Sequence, residues 1–383
     1  MFLPGNELHK VMEAMAKDRK RITGFIRNDR RPDNMDNYEI VSTAESEAFI
    51  YMMYDLEELE IHWWTDADVV FLNPDSGFMF KGMSNLTDIS GLKDLNTEGL
   101  VNAEWMFWYC ETLSDISALA HWDTKALTNA ERMFGTCLNL SDISTLANWH
   151  TNVLANASKM FYACSKISNI SAISHWDTRS LVNTSEMFCD CDSLNDITGL
   201  DRWNTKELED TSGMFRGCNN LSNITALANW DTKSLVNASG MFRGCKYLSD
   251  ISALSNWNTN ALENSAWMFA ECSNLINISA LTHWDTRSLI NAFGMFRECE
   301  NLNDISALVN WNTTALVNTS EMFLCCNNLS NITALSNWNT QTLGDASEMF
   351  MDCKNLRDIS ALSNWNTQSL KIDFNMFLGC ENL

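Results

Sequence analysis

The pair Met-Phe returns at Met79, Met106, Met133, Met160, Met187, Met214, Met241, Met268, Met295, Met322, Met349 and Met376, and every interval is 27 residues. Ordinary globular chains accept insertions in their loops, so twelve occurrences without one insertion or deletion exclude that class. A representative repeat runs from Met241 to Trp267 and reads MFRGCKYLSDISALSNWNTNALENSAW. Its constant positions are apolar or small: Met241, Phe242, Cys245, Leu248, Ile251, Ala253, Leu254, Trp257 and Leu262. Twenty-seven residues make one turn of chain and no closed core. Only stacking such turns buries the apolar positions as one continuous core. A fixed repeat length follows, because one extra residue would push a core side chain into solvent. The expected fold is an α/β-type repeat solenoid, a right-handed stack of twelve coils over residues 76–383. The C-x-x-L-x-x-I segment, such as Leu248 to Ser252, is the expected strand, and W-N/D-T the turn. The N-A-S-x-x-M-F segment is expected to return the chain as a short helical or 3-10 piece.

Residues 1–75 lie outside the repeat and divide by charge. Residues 1–31 hold eight basic and four acidic side chains, and 32–75 hold twelve acidic and none basic. Asn6 is placed to cap a helix from about Glu7 towards Arg27 with Leu8, Val11, Met12, Met15 and Ile22 on one face. The runs Ala48–Tyr54, Glu58–Trp64 and Val69–Leu72 read as short strands. A solenoid needs its first coil covered, so this α+β region is expected to be a cap. The last coil keeps Met376, Phe377 and Cys380, so an open sheet end is expected there, and self-association is one way to cover it. No apolar run approaches the ~20 residues of a membrane helix, and Met1–Ile22 carries charges throughout rather than the apolar stretch of an export signal. Membrane insertion is therefore not expected.

The motif M-F-x-x-C-x-x-L-x-x-I followed by an aromatic-D/N-T segment resembles the BspA-type leucine-rich-repeat proteins, bacterial surface proteins that include many mycoplasma lipoproteins. The run Leu72-Asn73-Pro74-Asp75-Ser76 is similar to that family's entry into its first repeat. The resemblance extends over roughly Asp66 to Leu383. It departs in having Trp122, Trp149 and their successors to Trp365 where the family has Phe, and in a slightly longer repeat. The resemblance implies a leucine-rich-repeat fold, surface display and binding of host or neighbour-cell proteins, without catalysis.

Stacking converts each repeat position into a ladder. Eleven cysteines from Cys110 to Cys380 share one position, with Met83 in the first repeat. Parallel Cβ vectors at neighbouring rungs disfavour disulfides, and no C-x-x-C pair or His cluster supplies four metal ligands around them. Free thiols filling small apolar slots are expected, with no metal and no cofactor. Phe242, Cys245 and Trp257 represent the three structural ladders; for Trp122 to Trp365 a core spine is preferred to a sugar-stacking platform. One acidic ladder alternates as Asp142, Asn169, Asp196, Asn223, Asp250 and onward. Carboxylates at every rung would stand ~4.8 Å apart; alternation with Asn spreads them towards the ~8–10 Å screening length and keeps the acceptor oxygen. A row of Ca²⁺ sites is the weaker alternative, because alternation disperses the carboxylates Ca²⁺ needs.

Twenty-six basic against 49 acidic residues, a formal charge of −23, exclude a phosphate-gripping nucleic-acid binder. The segments His121-Trp-Asp-Thr, His175-Trp-Asp-Thr and His283-Trp-Asp-Thr recur, whereas an active site is unique, so no enzyme is expected. Specific recognition belongs where the repeats drift: the slots just before Met, just after Phe and just after Cys. There Trp105, Trp108, Tyr109, Arg132, Lys159 and Tyr162 fall within three successive repeats, and aromatic-plus-basic groups are common interface anchors. The expected function is non-enzymatic protein binding, adhesin-like at the cell surface by the resemblance. The alternative is an intracellular scaffold or recognition subunit, with a cytoplasmic location.

Overall fold

The computed structural model describes all 383 residues, which form two compact units, Met1–Leu181 and Val182–Leu383. Both are built from the same 27-residue coil, and the corners of that coil are made by one chemical device used three times. In the coil around Met241, Asn237 Oδ1 accepts from the Ser239 amide at 3.1 Å, Asp250 Oδ1 from Ser252 at 2.8 Å, and Asn258 Oδ1 from Asn260 at 3.3 Å. A short carboxylate or carboxamide that captures the amide two residues on makes the chain turn without help from neighbours. Asp and Asn supply the same oxygen, so the scaffold tolerates their alternation. A 3-10 turn, Ser252–Leu254 here, follows the second corner in this coil and in its equivalents.

The stretch between the first two corners carries the main contact with the next coil, and it is not a strand. The amides of Ala238, Gly240, Phe242 and Gly244 donate to Asn264, Ala266, Met268 and Ala270 of the next coil. The alternate amides of Met241, Arg243 and Cys245 turn back to carbonyls three residues earlier. Half of the donors are thus spent within the coil. Each coil also places two residues of this stretch in the left-handed region, four apart; here they are Gly240 at φ 60° and Gly244 at φ 77°. The expected strand at Leu248–Ser252 is therefore corrected: that segment passes through Ile251 at φ −111°, ψ 18° into a 3-10 turn, its equivalents make no more than isolated bridges such as Asn277 to Asp304, and the rungs lie mainly in the N-A-S-x-x-M-F segment.

The ladders fill the coil interior. In the second unit the rings of Phe215, Phe242 and Phe269 stack 5.7–5.9 Å apart, and each is fully buried, a burial that stabilises by about 2–3 kcal/mol per ring. Cys245 Sγ donates to the Phe215 carbonyl, and Trp257 Nε1 to the Leu227 carbonyl at 3.1 Å. Trp257 and Trp284 lie parallel at 6.4 Å with only 4% of their surface exposed, so the tryptophans are core and not a platform. Thr259 Oγ1 donates to the Asp285 carbonyl of the next coil, closing the turn ladder.

In the first unit, residues 1–75 pack with the coils that follow them. Helix α1, Gly5–Ala16, buries Leu8, Met12 and Ala16. It is shorter than expected and starts from Pro4 rather than an Asn6 cap. Lys17 takes a left-handed φ of 59°, and Asp18 captures the Lys20 amide, so the helix stops. Ile22 and Phe25 are buried beyond it, and Gly24–Arg27 is strand β1. Strands β2 (Glu39–Ile40), β3 (Tyr51–Asp55) and β4 (Glu60–Trp64) complete a sheet of order β1-β4-β3-β2, with only the β1-β4 pair parallel. The expected strand at Val69–Leu72 is reduced to a single bridge, Phe71 to Asn96. The sheet continues into the first coil, where the Phe25 amide donates to Asp88 O and Phe25 meets Phe80 edge-on at 5.2 Å. Gly91 replaces the usual Ala of the 3-10 turn because a Cβ there would come within 2.6 Å of Phe25 O. No helix is long and apolar enough to cross a membrane.

Candidate functional site

The two left-handed positions of each coil lie just before Met and just before Cys, which are slots where the repeats drift. In the second unit several of them are glycine: Gly213, Gly217, Gly240, Gly244 and Gly294. Glycine is expected there, since a side chain in this region costs roughly 1–2 kcal/mol per residue. The first unit places Phe78, Trp105, Arg132 and Lys159 before Met, at φ 55–67°, and Tyr109 before Cys at φ 62°, and the second unit also keeps side chains such as Glu186, Trp267 and Glu321 before Met. Sequence drift marked these slots; their backbone strain becomes visible only in the folded coil.

These residues converge. Trp105 and Trp108 lie 5.0 Å apart, Trp108 meets Tyr109 edge-on at 5.3 Å, and Trp108 reaches Tyr162 at 5.8 Å. The Arg132 guanidinium sits over Trp105 at 4.3 Å and within 5.8 Å of the Trp108 ring. Lys159 holds the next slot in the pre-Met row, its carbonyl close to Gly135. Of the six expected residues, five are joined by ring contacts. The structure adds three that the repeat register could have supplied. Phe78 stacks on Trp105 at 5.9 Å, Lys81 Nζ lies 4.2 Å from the Trp105 ring, and Gly135 is the floor under Trp108. A Cβ on Gly135 would lie 2.2 Å from Trp108 Cζ3, so the indole occupies the space a side chain would take.

The electrostatics are unusual for so acidic a chain. Burial, with Arg19 and Arg132 nearby, holds the Lys81 ammonium below its ordinary pKa. Arg132 is paired with Glu131, whose other oxygen takes the Asn156 amide at 3.2 Å, while Lys81 has only the two rings of Phe78 and Trp105. The same rows in the second unit also pair their arginines, and Arg243 likewise lies over a tryptophan, Trp267, at 5.6 Å. Arg216 pairs with Glu186 at 3.2 Å, Arg243 with Glu271 at 2.8 Å, and Arg297 with Glu298 at 3.0 Å and with Glu321. Those cations are neutralised internally.

The remaining motifs are consumed by the scaffold. Asp123, Asp177 and Asp285 of the W-D-T segments accept from the amides two residues on, and these bonds with the neighbouring Lys125, Arg179 and Arg287 hold their carboxyls below the usual range. The N-x-S/T triplets are Asx corners, as at Asn237 and Ser239. The ladder cysteines are free and mostly buried, and burial pushes their thiols up, to about 12 for Cys164.

The profile of the family described as "Mycoplasma protein of unknown function, DUF285" matches residues 75–197, 194–307 and 267–383. The chain belongs to that family. The family's description assigns no activity to its members. No curated protein matches the chain. Among solved structures, a leucine-rich repeat protein from Bacteroides ovatus ATCC 8483 is 15% identical over 92% of this chain and 93% of its own, with a TM-score of 0.47. A leucine rich cell surface protein from Faecalibacterium prausnitzii A2-165 is 14% identical over 58% and 77%, with a TM-score of 0.22. The repeat solenoid of this family member stands on the coil geometry itself.

Proposed function

We propose that the chain is a non-enzymatic protein-recognition solenoid, adhesin-like in the manner of the BspA-type proteins it resembles. Its ligand docks on the aromatic–cation face built by Trp105, Trp108, Tyr109, Arg132, Lys159 and Tyr162. One observation carries the reading. Trp105, Trp108, Tyr109 and Tyr162 converge on one another, with Lys81 and Arg132 over the Trp105 ring. Trp, Tyr and Arg are also the side chains that dominate interfaces. Lys81 and Arg132 on one indole favour a ligand segment bearing carboxylates, which would supply the counter-charge Lys81 lacks.

The test is capture of host-cell surface proteins on the immobilised chain, comparing wild type with Trp108→Ala/Arg132→Ala. Loss of one well-packed anchor of about 2 kcal/mol corresponds to roughly 30-fold in affinity. The double variant should therefore lose its specific partner while keeping the wild-type circular dichroism. An unchanged captured set from a folded double variant would refute the assignment.

A further inference from the structure

A second constellation lies at the turn before β4, on residues that take no part in the aromatic face. Strand side chains alternate between faces, so Glu60 and His62 project from the same side of β4, and Glu58 precedes them in the turn. The turn is held firmly. Asp55 Oδ1 accepts from the amides of Glu57 and Glu58 at 2.7 and 3.0 Å, and Thr23 Oγ1 donates to the carbonyls of Glu58 and Leu59. Gly24 of β1 stands opposite Glu60, and a Cβ there would press within 3.0 Å of the Glu60 side chain.

The ring of His62 is oriented from behind. Its Nδ1 lies 3.0 Å from Asn28 Oδ1, which can only accept, so Nδ1 carries the proton. Asn28 is steadied in turn by donating its amide to the Tyr38 hydroxyl at 3.1 Å. In the neutral ring the Nε2 lone pair then faces Glu58 Oε2 at 3.2 Å and Glu60 Oε2 at 3.3 Å. Nε2 is buried and neither contact is aligned as a hydrogen bond. One ligand atom from each residue lies within 4.8 Å of the other two. Two carboxylates and Nε2 facing one another at these distances are held together either by a proton on Nε2 or by a cation between them. Tetrahedral coordination with bonds of ~2.0–2.1 Å separates its ligand atoms by about 3.3–3.4 Å. The two N···O separations match that edge and are longer than the ~2.7–2.9 Å of a charge-assisted hydrogen bond.

We propose that Glu58, Glu60 and His62 form a three-ligand site for a divalent transition-metal cation of the Zn²⁺ type, with Asn28 as the positioning residue that fixes the imidazole. The ligand set of one nitrogen and two carboxylates suits Zn²⁺, Mn²⁺ or Fe²⁺ rather than Ca²⁺. The E-x-E-x-H spacing draws its ligands from a turn and one strand face rather than from a C-x-x-C knuckle. A bound cation would tie the β3–β4 turn to the sheet beside the first coil.

Co²⁺ titration of the full chain, followed by visible absorption, tests the site. Saturation at one equivalent is expected, with a d–d spectrum that lacks the near-ultraviolet charge-transfer band of thiolate ligation. His62→Ala should weaken binding at least 100-fold, and Asn28→Ala by 10-fold or more through loss of ring orientation. Glu58→Gln, an exposed change in the turn that leaves the fold intact, should also weaken binding at least 10-fold and keeps the test valid if His62→Ala fails to fold. The proposal is overturned by no saturable uptake at about 1 mM Co²⁺, which would mean that only a proton fills the notch. A thiolate band, or undiminished binding in folded Glu58→Gln, would overturn it equally.

Discussion

Gly135→Ala tests whether the indole of Trp108 is seated across the coil as described. The added Cβ would lie 2.2 and 2.3 Å from Trp108 Cζ3 and Cε3, so the ring has to leave. Leaving breaks its contacts with Trp105, Tyr109 and Tyr162 and its approach to Arg132. At roughly 0.5–1.5 kcal/mol per aromatic pair and ~0.5–1 for the cation contact, partial loss comes to about 2–3 kcal/mol. Gly135 does not have a positive φ, so alanine is sterically allowed in its backbone and returns about 0.4–1 kcal/mol through the unfolded chain. The expected net destabilisation is about 2 kcal/mol, read by urea unfolding monitored in the near-ultraviolet. In a Trp108→Ala background the collision with the ring disappears and only the Lys159 carbonyl at 3.3 Å remains close, so the same Gly135→Ala change should be near neutral. A double-mutant cycle with a coupling energy near 2 kcal/mol supports the seat. Equal costs in both backgrounds would refute it, and with it the architecture of the proposed docking face.

Two further outcomes follow from the core. Burial pushes the thiols of Cys164 and Cys189 up to about 12. Below the ordinary thiol value of ~8.5 folded and unfolded chains are both protonated and the full stability is present. Above it only the unfolded chain loses protons, so stability should fall by about 1.4 kcal/mol per pH unit per buried thiol up to the folded value. Circular dichroism against pH should show steep unfolding beginning near pH 9, less steep in Cys164→Ala; stability that stays flat from pH 8 to 10 contradicts this. The indoles offer the second outcome. Trp257 Nε1 bonds the Leu227 carbonyl, whereas Trp149 Nε1 is buried without a partner. Trp149→Phe should therefore cost about 1–3 kcal/mol less than Trp257→Phe in thermal or urea unfolding, and the reverse order would show that the first-unit indole is satisfied.

The candidate face was legible because drift among otherwise constant repeats needs no tertiary information: Trp105, Trp108, Tyr109, Arg132, Lys159 and Tyr162 stand out by comparison with their counterparts. Their convergence was only partly legible, because the contacts of Phe78 and Lys81 with Trp105 run from one coil to the next. The Glu58, Glu60 and His62 group was legible only as an E-x-E-x-H spacing on an expected strand. Its geometry depends on the side chain of Asn28, brought in by strand pairing across 34 residues.

A 27-residue period of apolar positions can bury its surface in one way, so stacking, the buried Phe, Cys and Trp ladders and the polar corners are dictated locally, by period and by Asx chemistry. Which backbone groups form the rungs is settled between coils. The Leu248–Ile251 segment has strand-like residues, yet the amides that reach the next coil are those of Ala238 to Gly244. Left-handed φ values at alternating rungs, and the side chains they aim outward, arise only when one coil's donors must meet its neighbour's acceptors. No pattern within a single repeat encodes that requirement.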